Sequence, residues 1–322
     1  MYIVKLSIYY SFKYGQCKMS LGILFPGQGS QKVGMLEEFI SKYPIVSQTF
    51  EEASDILSTN LLKIIKKGPV EKINDTENTQ PIMFCAGYSI WKIWKEEGGE
   101  NPIFFAGHSF GEYTALLAAS VFTFKDGIKL VSERAKLMKK APHGKMFAII
   151  GLSVDDISKI VEPYNDVSIA NINAPTQIVI SGAEESSKKI SEAATKAGAK
   201  KVLELPVSIA AHSILMKESA VDFDKFLQGF KFKEPQIPVV NNVDVMCEKS
   251  EGNIKDSLVR QLYSSVQWVN TIEYMEQQGV NTLIELGPGN ILNSLNKRID
   301  NSIQSFNISD SKGLDRVFEE IN

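Results

Sequence analysis

The segment Gly107-His108-Ser109-Phe110-Gly111 fits G-x-S-x-G, the spacing of a nucleophile elbow. A serine on a sharp strand-to-helix turn exposes its Oγ, and only small flanking residues keep such a turn free of collisions. The helix that follows aims its first N–H groups at the place where an oxyanion would form. The neighbours agree: Pro102–Ala106 reads as a short apolar strand and Tyr113–Ser120 as a buried helix. A serine hydroxyl also needs a base to take its proton, and the chain has three histidines. His108 adjoins the serine, and adjacent positions at a strand end face opposite ways, so it is read as lining a pocket. His143 lies in Pro142-His143-Gly144, an exposed turn. Elimination leaves His212, in Ala210-Ala211-His212-Ser213, as general base to Ser109.

These residues need a scaffold that brings positions 109 and 212 together. Leu21–Phe25 is a continuous apolar run, the signature of a strand covered on both faces, and it ends in the glycine-rich turn Pro26–Gln31. Helical patterns follow to about residue 65 and break at Lys67-Gly68-Pro69; a further helix is expected over Thr79–Glu97. Strands alternating with helices indicate a mostly parallel α/β sheet. Between 142 and 208 the rhythm changes to strand-helix-strand twice over: Met146–Ile150, Val154–Val161, Val167–Ala170, Gln177–Ser181, Glu184–Ala197 and Lys201–Leu205. That order is ferredoxin-like. The expected architecture is therefore an α/β hydrolase-like unit, residues 19–141 and 209–322, carrying a ferredoxin-like α+β insert over 142–208. A strand at Pro238–Val243, two helices between 253 and 278, a strand at Thr282–Leu286 and a final helix after Gly287-Pro288-Gly289 complete it.

Composition narrows the classes. The 322 residues are 43% hydrophobic and 23% charged with a formal net charge of −3, enough apolar content for a sizeable core. No basic stripe dominates, which excludes a general nucleic-acid binder. No apolar stretch is long enough to span a bilayer. Three scattered cysteines without metal or redox spacing fit a reducing compartment, and the expected location is the cytoplasm. Residues 1–18 carry Lys5, Lys13 and Lys18 and no acid, and are followed by Met19; they read as an upstream start or an unstructured extension, with an organellar targeting role left open.

Several motifs, in one order, carry a resemblance. Gly27-Gln28-Gly29-Ser30-Gln31 lacks the Lys-Ser/Thr ending of a P-loop and the spacing of a dinucleotide fingerprint. Together with Gly107–Tyr113, Val239-Val240-Asn241-Asn242-Val243, Val259-Arg260-Gln261-Leu262-Tyr263 and Glu285-Leu286-Gly287-Pro288-Gly289, it resembles the malonyl-CoA:acyl-carrier-protein transacylases, from about Leu21 to Arg298. The resemblance implies ping-pong transfer of a malonyl group from malonyl-CoA to the phosphopantetheine thiol of acyl carrier protein, through a malonyl ester on Ser109. It implies an oxyanion hole from the backbone N–H groups of Gln28 and Phe110. It also implies orientation of His212 by the backbone carbonyl of Gln261, with Asp244 as the fallback carboxylate. Arg134 matches the arginine that grips the malonyl carboxylate, which a planar guanidinium can bind through both oxygens.

Asn171 and Asn173 resemble pocket-lining residues of the family, alongside His108. Carrier protein is acidic, so basic clusters are docking candidates: Lys136, Lys139 and Lys140, or Lys200 and Lys201. No metal, no permanently bound cofactor, no nucleic acid and no membrane are expected; coenzyme A enters only as the substrate's thioester, and the oligomeric state, a monomer among the options, stays open. Phe110 stands where the family more often has an aliphatic residue, with bulk that would narrow the acyl slot. Ile209-Ala210-Ala211 matches neither acyl-selecting signature of polyketide acyltransferases, and the loop Lys140–Lys145 is short. Malonyl against a substituted malonyl group thus stays open, as does fatty acid against polyketide synthesis. The rival readings are a serine acyl hydrolase or thioesterase on the same elbow and a non-catalytic carrier-binding scaffold.

Overall fold

Two sheets, one parallel and one antiparallel, organise the computed structural model, which describes residues 19–321; the expectations for residues 1–18 lie outside it. In the large sheet β1 (Leu21–Phe25), β2 (Phe104–Gly107), β7 (Val239–Val240), β8 (Thr282–Leu286) and β9 (Gln304–Ile308) run parallel in the order β7-β2-β1-β8-β9. All five residues of β1 are buried, as its unbroken apolar run requires of a strand covered on both faces. Because the strands are parallel, the turns after β1, β2 and β8 emerge on one edge. That carboxyl edge, at the reversal of strand order, is where open α/β sheets form their crevice.

The small sheet contains β3 (Lys145–Ile150), β4 (Val167–Ala174), β5 (Gln177–Gly182) and β6 (Lys201–Glu204), antiparallel in the order β4-β5-β3-β6. Its two helices, Val154–Val161 and Glu184–Lys196, bury Ile157, Val161, Ile190 and Ala194 against Phe147, Ile149, Ile178 and Ile180. The opposite face carries Met146, Ala148, Ala170 and Val179 and turns toward the large unit. Entry and exit run side by side, Gly144 N donating to Ser208 O at 3.0 Å. The segment at Val266 holds β4 in place: Ile172 N donates to Val266 O at 3.0 Å, and Val266 N to Ala170 O at 2.8 Å.

Three sequence expectations change. The strand expected over Pro238–Val243 shrinks to Val239–Val240, because Asn241 Oδ1 accepts from Val243 N at 3.1 Å and Asp244 N at 2.7 Å and turns the chain. The helix after Gly289, Ile291–Ile299, is not the last: β9 and the helix Ser311–Ile321 follow. The edge strand β9 has mostly half-exposed side chains and so lacks the apolar run that identifies interior strands. Finally, β4 continues to Ala174 with two register shifts, so Asn171 and Asn173 belong to the strand itself. Among the described residues no helix is long and apolar enough to cross a membrane.

Candidate active site

The turn between β2 and the helix Gly111–Ala118 is built from sterics. A Cβ on Gly107 would lie 2.0 Å from Gly111 C, and one on Gly111 would lie 2.3 Å from Phe25 O. Backbone passes where any side chain would stand, so glycine is required at both positions. Ser109 at the apex has φ 55°, a left-handed conformation that costs a non-glycine residue energy and recurs at functional sites. Asn242 holds the turn from the far side, its Oδ1 accepting from Ser109 N at 2.7 Å and its Nδ2 donating to Gly107 O at 2.6 Å.

His212 reaches the same place from the chain leaving the small sheet, also left-handed at φ 59° and 2% exposed. Its main chain bonds Leu262 O at 3.0 Å, and its Nδ1 lies 2.7 Å from the carbonyl oxygen of Gln261. A carbonyl oxygen only accepts, so Nδ1 carries the proton and Nε2 presents a lone pair. That Nε2 stands 2.7 Å from Ser109 Oγ. The serine O–H therefore donates to the imidazole, the starting arrangement for proton transfer. Burial, reinforced by the nearby Arg134 charge, pushes His212 down to about 3, so the imidazole is neutral at pH 7. Asp244, the alternative partner, is taken by Arg260 at 2.6 Å.

Arg134 is 1% exposed, not the solvated helix arginine that its neighbours Glu133 and Lys136 suggest. Nη1 donates to Gln80 Oε1 at 2.9 Å, and Nη2 to Gln261 Oε1 at 3.1 Å and Ser109 Oγ at 3.3 Å. These acceptors are neutral, no ion pair holds the guanidinium among the described residues, and its buried Nε has no partner. A buried cation with only neutral acceptors, beside a nucleophile, is a ready site for an anion.

These groups open on a cavity of about 480 Å³ between the two sheets, lined by Gln28, His108, Ser109, Asn171 and His212, with Met138, Met146 and Leu205–Ile209 around it. His108 Nε2 lies 2.8 Å from Asn173 Oδ1, with burial lowering its pKa, and its ring packs against Trp268. Asn171 lines the cavity itself, 7% exposed. Neither the Gln28 N–H nor the Phe110 N–H meets an acceptor among the described residues. The Gln28 side chain is anchored, accepting from Thr76 Oγ1 at 2.9 Å. The Phe110 ring is buried in the hydrophobic core rather than among the side chains that line the cavity.

The lysines divide. Lys139 lies at the cavity mouth but is bound to Asp75 at 2.8 Å and Glu77 at 3.1 Å. Lys136 faces a separate hollow with Ile56, Glu77 and Phe226, whereas Lys140 is exposed at the end of the helix Phe124–Lys140. Lys200 and Lys201 are exposed at the start of β6, the strand that runs toward the mouth. Gln80, Glu112 and Asn242 carry no role that is legible in the sequence. Their signal is faint: a polar residue on an otherwise apolar helix face or beside a strand end, buried to 0%, 2% and 0% exposure.

A model of the acyl transferase domain matches residues 23–307. The malonyl CoA-acyl carrier protein transacylase of Salmonella typhimurium is 44% identical over 297 residues, 90% of this chain and 96% of that protein. That of Haemophilus influenzae is also 44% identical, covering 92% and 97%. Among solved structures, an acyl carrier protein S-malonyltransferase from Vibrio cholerae superposes with TM-score 0.90 at 45% identity, covering 92% of this chain and 99% of that one. A malonyl-transacylase in complex with its type II PKS acyl-carrier protein gives 0.91 at 43%, covering 94% and 99%. Likeness of this extent, in sequence and fold together, means that the chain belongs to the malonyl CoA-acyl carrier protein transacylase family.

Proposed function

We propose that this protein transfers a malonyl group from malonyl-CoA to the phosphopantetheine thiol of acyl carrier protein, supplying extender units for fatty acid synthesis. In this reading His212 Nε2 takes the Ser109 proton as Oγ attacks the thioester carbon. The Gln28 and Phe110 N–H groups, which have no acceptor among the described residues, receive the oxyanion; one such donor is worth on the order of 3 kcal/mol in the barrier. The tetrahedral adduct collapses to a malonyl-serine ester, and the coenzyme A sulfur leaves with the proton from His212. The carrier's thiol then gives its proton to His212 and attacks the ester, which restores Ser109. The Gln261 carbonyl keeps the imidazole in the required tautomer throughout, in place of a carboxylate. Every step uses protons and acyl groups only, with coenzyme A as part of the substrate rather than a resident cofactor.

One observation carries the choice of acyl group: a buried guanidinium, with neutral hydrogen-bond acceptors only, 3.3 Å from the nucleophile. A malonyl carboxylate supplies its missing charge. Acetyl or long fatty acyl groups leave it unpaired, and a plain hydrolase has no use for it. The test is acyl loading of Arg134→Ala from malonyl-CoA and from acetyl-CoA. Malonyl loading is expected to fall by on the order of 10²-fold or more while acetyl loading changes little. An unchanged preference between the donors would remove Arg134 from this role.

A further inference from the structure

Glu112 is buried on the helix that follows the elbow, 2% exposed, and none of the acyl-transfer steps uses it. One of its oxygens, Oε2, accepts from two donors, Asn242 N at 2.9 Å and Gln261 Nε2 at 2.7 Å. Both donors belong to residues that hold the reacting groups. Asn242 pins the turn at Ser109. Gln261 touches all three central side chains or their backbones. Its Nε2 also donates to Ser109 O at 3.0 Å, its Oε1 accepts from Arg134 Nη2, and its main-chain carbonyl receives His212 Nδ1.

A carboxamide has two ends of nearly equal shape, so something must decide which one faces the guanidinium. Turned end for end, Gln261 would point an NH₂ at the NH₂ of Arg134 and an oxygen at the Ser109 carbonyl and at Glu112. Donors would meet donors and acceptors acceptors, all in a buried setting. The Asn242 N–H is main chain and cannot turn. It fixes an acceptor at Glu112 Oε2, and that acceptor fixes Nε2 of Gln261. We propose that Glu112 is a positioning residue for acyl transfer: by orienting the Gln261 amide it holds Arg134 beside Ser109. The proposal rests on the reading of Arg134 as the group that binds the malonyl carboxylate.

Because both bonds end on a single oxygen, Glu112→Gln keeps an acceptor in place while Glu112→Ala removes it. The measurement is single-turnover loading from malonyl-CoA and acetyl-CoA in both variants, in Gln261→Met, and in the double variant Glu112→Ala/Gln261→Met. Glu112→Ala is expected to lower malonyl loading on the order of 10²-fold, the cost of a misplaced positioning group, and acetyl loading less. Glu112→Gln should recover most of that loss. The double variant should be no worse than Gln261→Met alone, since Glu112 acts through that side chain.

Equal impairment of Glu112→Gln and Glu112→Ala, additive effects in the double variant, or equal losses with both donors would overturn the proposal. Should Glu112→Ala not fold, Gln261→Met stands in for it: it removes the oriented amide but keeps the carbonyl that binds His212. An unchanged malonyl-to-acetyl ratio in Gln261→Met overturns the proposal equally. Arg134→Ala run alongside separates the two claims. A lost preference there with none lost in Glu112→Ala refutes only the role of Glu112. A preference kept in Arg134→Ala refutes the reading beneath it.

Discussion

Ser109 and His212 both adopt left-handed backbone conformations, at φ 55° and 59°. Two adjacent outliers at one cavity indicate that surrounding bonds, from Asn242, Leu262 and Gln261, hold them there against local preference. The same burial keeps the imidazole neutral, with a pKa of about 3. Malonyl loading should therefore show no acidic limb near pH 6.5, the ordinary histidine range, and should stay level down to about pH 5. A pH profile of single-turnover loading checks this, and an apparent pKa near 6.5 would contradict it. A depressed histidine contributes stability present above about pH 6.5 and lost as pH falls toward 3. Glu112 and Glu285, each raised to about 7 chiefly by burial, contribute stability present below about 4.5 and lost as pH rises through 7. Urea unfolding should thus give a broad maximum on the acid side of neutrality, with His212→Asn flattening its acid side.

At the scale of elements, the elbow was legible because it is a steric demand written in consecutive residues. Gly107 and Gly111 must both be small, and a short strand and a helix must flank them. Gly107→Ala is expected to destabilise by on the order of 3 kcal/mol or to prevent folding, since the new methyl meets backbone rather than a movable side chain. Gly98, at φ 85° with open space around it, is the comparison; alanine there should cost about 1 kcal/mol from the backbone conformation alone. Equal losses in urea titrations of the two variants would contradict this account of the turn. The small sheet was legible because its strands keep an apolar period. The edge strand β9 was not, since a half-exposed strand has little to distinguish it from a loop. Nor were Gln80, Glu112 and Asn242, whose partners lie 54, 149 and 133 residues away in the chain. A hydrogen-bond network closed across such separations leaves no local pattern.

Across the whole molecule, the cavity exists because a four-stranded sheet is set over the carboxyl edge of a five-stranded one, with the Val266 segment joining them. Any acyl carrier must bring its thiol in through this mouth. Lys139 there is neutralised by Asp75 and Glu77, which leaves exposed lysines farther out, Lys200 and Lys201 among them, as candidates to attract an acidic carrier. The double substitution Lys200→Glu/Lys201→Glu is expected to lower kcat/KM for the carrier several-fold at low ionic strength, with the difference fading at high salt. No change at low salt would remove these lysines from docking.

The most direct measurement is the intact mass of the protein after brief exposure to malonyl-CoA, followed by addition of holo acyl carrier protein. The protein is expected to gain one malonyl unit, absent in Ser109→Ala, that then disappears from it and reappears on the carrier. An adduct that persists in Ser109→Ala, or one that passes to water at the same rate with and without carrier, would rule out transfer through Ser109.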